Sequence, residues 1–145
     1  MVAGLRDKGW ALFPAEAALR EWAGEARVAA LARISDPAQR AQWLDCEGTW
    51  FVGVDTLPND PDGRVGRSAP LQGAALDAAR ALYGALPLHP GQVSVTYPGY
   101  PRPRTGETEA AFRYRLNRDA AHVDGLLPVG DARRRKLHER HAYIL

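Results

Sequence analysis

The 145-residue sequence predicts an α+β protein in which helices come first and strands follow, the helices lying outside a sheet. Three observations predict it. Apolar residues recur at helical spacing through 14–33 and 72–83 but alternate through 92–97 and 111–117. The length suits one core, so residues 1–145 read as a single domain. Hydrophobic residues at 46% and charged residues at 25% exclude a disordered tail, a collagen-like repeat and a disulfide-stapled miniprotein.

Trp10-Ala-Leu-Phe13 after Gly9 reads as a short strand closed by Pro14. From Pro14 to about Arg33 a helix is predicted, because Pro suits a first turn and Leu19, Trp22, Ala26 and Ala30 share one face. Ser35-Asp36-Pro37 restarts a helix with a capping side chain followed by Pro, running to about Leu44. Thr49–Asp55 is apolar on both parities and reads as a strand buried on both faces. Residues 57–68 are dense in Pro, Asn, Asp and Gly and read as a loop. Gln72–Tyr83 is helical, with Gly84 as its terminator. Gln92–Tyr97 alternates as a strand, and 98–109 is a Pro/Gly-rich connection. Ala111–Asn117 alternates strongly and reads as a strand, 122–127 is apolar, 131–140 is polar and helix-compatible, and His141 opens another strand. Residues 1–84 therefore form a mainly helical layer with two strands, and 85–145 the start of a sheet core.

Cys46 is the only cysteine, so no intrachain disulfide can form and a reducing cytoplasm is the expected setting. No apolar run resembles a signal peptide or approaches the length of a membrane span, so no membrane partner is expected. The net charge of +2 is carried almost wholly by arginine, since Lys8 and Lys136 are the two lysines. Alanine occurs 25 times, and both excesses fit GC-rich coding. Acids and bases are interspersed, so nucleic acid is not an expected partner.

His122-Val123-Asp124 carries the functional expectation. Residues two apart in a strand project to one face, so an imidazole and a carboxylate would converge. If the strand phase continues from Phe112, Tyr114 and Leu116, both side chains face the apolar side, where a charged group needs a partner. A metal ion is such a partner, and two His with one carboxylate is the set used by non-haem Fe(II) oxygenases. The competing reading is a surface His beside a turn Asp at Gly125.

Arg118-Asp-Ala-Ala-His-Val-Asp-Gly-Leu-Leu127, with His-Ala-Tyr-Ile-Leu after it, resembles the first metal-ligand segment of Fe(II)/2-oxoglutarate-dependent dioxygenases. The opening Gly-Trp-Ala-Leu-Phe and long helix resemble the phytanoyl-CoA dioxygenase-like branch. The resemblance implies helices packed on a partial double-stranded β-helix, a jelly-roll or cupin-like barrel. It implies Fe(II) held by His122 and Asp124, 2-oxoglutarate as cosubstrate, and hydroxylation of a small molecule. Tyr114, His141 and Tyr143 are candidates for lining the cosubstrate or substrate pocket, with core packing the competing reading for Tyr143. The family's distal His and carboxylate-binding Arg have no counterpart here, because His138 and His141 follow His122 too closely. The core therefore reads as truncated, and its open strand edges call for a homodimer or a further C-terminal segment. Two alternatives follow: a truncated, non-catalytic member of the fold serving as a binding or assembly module, or a cupin-like metal-binding barrel or isomerase.

Rival motifs are weaker. Asn59-Asp60-Pro-Asp62-Gly63 hints at a calcium loop, but Pro58 and Ala69 would stand at its first and last ligand positions. His138-Glu-Arg-His141 has the wrong spacing for a zinc helix. Arg133–Lys136 reads as a solvated helix face, Cys46 as a small packing residue, and Trp10, Trp22, Trp43 and Trp50 as core anchors.

Overall fold

The computed structural model describes residues 2–118, 126–132 and 134–137. The helical layer comprises α1 (Val2–Lys8), α2 (Ala17–Ser35), α3 (Pro37–Gln42) and α4 (Ala74–Tyr83). Strands β1 (Leu44–Cys46), β2 (Trp50–Leu57) and β3 (Gly91–Thr96) form an antiparallel sheet in that order. Helix α5 (Glu109–Asn117) follows, and β4 (Leu126–Val129) pairs antiparallel with β5 (Arg134–Leu137). The protein is thus α+β with a small three-stranded antiparallel sheet.

Local chemistry sets the helix ends. Asp36 accepts a hydrogen bond from the Ala38 N–H at 2.8 Å and stands before Pro37, as the sequence predicted. Gly9 ends α1 at φ +76°, its N–H donating to the Leu5 carbonyl. Helix α4 begins at Gly73, which has no capping side chain; Glu16, just before α2, accepts from the Ala74 N–H at 2.9 Å instead.

The core lies where α2 and α3 cover the sheet. Ile34, Phe51 and Val93 are buried, with Ala30, Trp43, Leu57, Val95 and Tyr97 packed around them. Strand β3 alternates as expected, Val93 inward and Gln92 and Ser94 outward. Strand β2 is less symmetric than predicted. Phe51 and Gly53 are buried while Val54 and Asp55 are exposed, and a register shift between Gly53 and Leu57 moves the buried parity to Thr56. Asp55 takes φ +57° within that irregularity, where four steps along β2 face two along β3, so that β2 carries two extra residues and kinks locally.

Residues 58–73 form one connection folded tightly against α2, longer than the 57–68 loop expected because α4 starts at Ala74 and not Gln72. Asp60 Oδ1 accepts from the Asp62 and Arg64 N–H groups, and Asn59 ties the loop to β3 by accepting from the Gly91 N–H. Along α2, the Trp22 indole donates to the Gly63 carbonyl at 2.6 Å and Glu25 accepts from the Arg67 N–H. Val65 is fully buried as a result.

Four expectations need correction. Residues 10–13 form no strand, since no described strand pairs with them, and Trp10 is 60% exposed rather than a core anchor. The helix expected to run to about Leu44 ends at Gln42, and Leu44 instead opens β1, paired with Val52. Residues 134–137 are a strand where a helix face was expected. Most consequential, 111–117 are helical. Thr108 caps α5 by accepting from the Ala111 N–H, Glu109 pairs with Arg113, and Asn117 donates to the Arg113 carbonyl. The half-buried residues are Phe112 and Arg115, three apart, while Tyr114 and Leu116 are exposed, so burial follows the helical period and not the alternation.

Candidate functional site

Among the residues proposed from the sequence, His122, Asp124, His141 and Tyr143 lie outside the described residues. Tyr114 is described: it sits on α5 and is 72% exposed, turned to solvent, so it lines neither of the two clefts noted below. Among the described residues no group of three or more His, Cys, Asp or Glu could hold a metal ion. His89 Nδ1 lies 3.2 Å from Asp55 Oδ1, both side chains being largely exposed.

A cluster of charged and aromatic groups surrounds the turn between β1 and β2. The segment 97–108 crosses this turn and leads into α5. Arg102 donates to the Glu47 carbonyl, and the Thr105 N–H donates to Glu47 Oε1 at 2.7 Å. Tyr100, joined to Pro101 by a cis peptide, places its ring 5.9 Å from that of Trp50. The Arg104 guanidinium lies 5.7 Å from the Trp50 ring centroid, within cation–π range.

One ion pair organises this segment. Arg115 on α5 reaches Glu107 through Nε at 2.9 Å and Nη2 at 2.8 Å, a bidentate contact with both side chains 12% exposed. The same guanidinium donates to the Arg102 carbonyl at 2.9 Å, and Glu107 accepts from the Arg104 N–H at 3.0 Å. The hydrogen bond from Arg115, reinforced by the Arg104 N–H, pulls the Glu107 carboxyl down to about 2, and the bond to Glu107 raises Arg115 further. The pair therefore stays ionised throughout the physiological range.

Sequence reading passed over these residues, treating 98–109 as a plain connection. A signal was present: in Tyr100-Pro-Arg-Pro-Arg104 two prolines stiffen the backbone around two cations, and Glu107 lies eight residues before Arg115.

Two clefts lie elsewhere on the described surface. A cleft of about 370 Å³ opens between α2 and the 65–72 loop, bordered by Glu21, Trp22, Glu25 and Arg67. A wide groove runs between α2 and the outer edge of β3. No helix among the described residues is long and apolar enough to cross a membrane. No family model matches the chain, and neither a curated protein nor a solved structure matches it.

Proposed function

We propose that the chain provides the first metal-ligand segment of a non-haem Fe(II)/2-oxoglutarate-dependent oxygenase that hydroxylates a small molecule. The fold in this reading is a double-stranded β-helix behind a helical layer, with His122 and Asp124 as two of three metal ligands. The observation that carries it is the His122-Val-Asp124-Gly-Leu-Leu sequence, which runs directly into β4. An imidazole nitrogen with a carboxylate oxygen is a donor set suited to Fe(II). The helical nature of α5 removes the strand phase counted from Phe112, so support comes from the two-residue spacing itself and not from that parity.

Fe(II) held there would use 2-oxoglutarate and O₂ to insert one oxygen atom into a substrate C–H bond, the second oxygen atom ending in succinate as carbon dioxide is released. The chain's own part is to present His122 as a neutral imidazole and Asp124 as a carboxylate, and to hold the substrate while limiting water.

Anaerobic titration with Mn(II) as a redox-silent surrogate, on the wild type and on His122→Ala and Asp124→Ala, tests the assignment. Each variant should lose at least about tenfold in affinity, following the general sensitivity of metal sites to ligand-shell changes. Equal affinity in all three proteins would refute it. Succinate release that requires both iron and 2-oxoglutarate would then separate a working oxygenase from a binding module.

A further inference from the structure

We propose that Arg102 and Arg104 form an oxyanion-binding site, taking the carboxylate or phosphate group of a small molecule at the β1–β2 turn. The site stands on described residues alone and holds or fails independently of His122 and Asp124.

The first support is charge without a direct ion-pair partner, although the Arg104 charge also acts at longer range on the Glu107 carboxyl. Arg113 pairs with Glu109 and Arg115 with Glu107, so those charges cancel locally. Arg102 and Arg104 differ. Among the described residues no carboxylate lies within ion-pair distance of either guanidinium. Arg102 spends one donor on a neutral carbonyl, that of Glu47. Arg104 has the Trp50 ring as its neighbour and makes no side-chain hydrogen bond among the described residues; its Nε is buried without a partner. A buried guanidinium Nε–H without an acceptor is an unusual state, since buried donors are nearly always satisfied.

The second support is preorganisation. The Glu107–Arg115 pair fixes both cations at their backbones, because Arg115 grips the Arg102 carbonyl and Glu107 grips the Arg104 N–H. Pro101 and Pro103 restrict the chain on either side of Arg102. Both guanidinium groups reach toward the same turn, Arg102 to Glu47 and Arg104 to Trp50, with the half-exposed Tyr100 ring beside them. Two arginines anchored at one turn without a direct ion-pair partner suit the forked geometry of a carboxylate or phosphate, and stacking on an aromatic face limits the side-chain entropy lost on binding.

The test follows the Arg104 Nε–H signal by ¹⁵N NMR while the protein is titrated separately with inorganic phosphate and with acetate. Saturable movement with one or both anions is expected, and the anion that saturates identifies the preferred group. Arg104→Gln, read through the Arg102 signal, should weaken binding at least about tenfold, the loss typical of a charge-assisted hydrogen bond. Arg67→Gln, at a side chain 91% exposed, should leave it unchanged. Glu107→Ala should also weaken binding, although it adds net positive charge, because it removes the acceptor of the Arg104 N–H and the anchor that holds Arg115 against the Arg102 carbonyl. Arg102→Gln and Arg104→Lys carry the same comparison if Arg104→Gln does not fold. No saturation with either anion, or equal weakening by the Arg67 and Arg104 changes, would overturn the site.

Discussion

Replacing Gly63 by alanine should destabilise the protein by about 2–4 kcal/mol, and the structure separates that figure into two parts. Gly63 adopts φ +78°, a conformation that costs an L-residue about 1 kcal/mol. An added Cβ would also lie 2.6 Å from the Leu71 Cβ and 2.8 Å from the Leu88 Cδ1. The Leu71 contact is the hard one, since its Cβ cannot swing away without moving backbone whose N–H donates to the Asp62 carbonyl at 3.0 Å. Overpacking of this kind adds about 1–3 kcal/mol. Gly106 supplies the control. Its φ of +74° is nearly the same, yet a Cβ there would meet nothing within 4 Å, so Gly106→Ala should show the conformational cost alone. Urea unfolding measures both, and with slopes of about 1–3 kcal/mol per molar the Gly63 midpoint should fall by on the order of 1 M. Losses that agree within about 0.5 kcal/mol would show that the Leu71 contact is relieved at no cost, refuting the packing argument.

Three further outcomes are expected. Glu107 is held at about 2 in the folded protein against an ordinary 4.5, so its pairing contributes fully above about pH 4.5 and is lost as the pH falls toward 2. The stability difference between wild type and Glu107→Gln, followed by denaturant unfolding, should therefore be constant near neutrality and shrink across that acid window; a difference unchanged at pH 3 would contradict the pairing. Glu16→Ala removes the acceptor that serves the α4 N-terminus and should cost about 1 kcal/mol, while Glu16→Gln keeps an acceptor and should cost less. Asp36→Ala should cost a similar ~1 kcal/mol by thermal or urea unfolding, through loss of the α3 cap.

Much of the helical layer was legible because its signals are local. Asp36-Pro37 announces a helix start within two residues, and the apolar spacing of α2 and α4 repeats often enough to stand out. The 58–73 loop was legible as a loop, but its attachment was not. Glu16, Trp22 and Glu25 hold groups 41–58 residues away, and no periodicity encodes such distances. Helix α5 shows how a local signal misleads. Phe112, Tyr114 and Leu116 alternate with arginines as a strand would, yet Thr108, Glu109 and Asn117 supply a cap, an ion pair and a backbone contact available only to a helix. The Arg102–Arg104 cluster stayed hidden because its partners, Glu47 in the β1–β2 turn and Trp50 at the start of β2, lie more than fifty residues earlier.

The clamp between Glu107 and Arg115 also has a kinetic meaning. The polar links inside the 102–118 segment span three to thirteen residues, whereas its links to Glu47 span 55 and 58. Short links re-form quickly after breaking, and long ones must wait for the sheet. The segment should accordingly open as one cooperative piece, its amide protons exchanging together and ahead of those in β2 and β3.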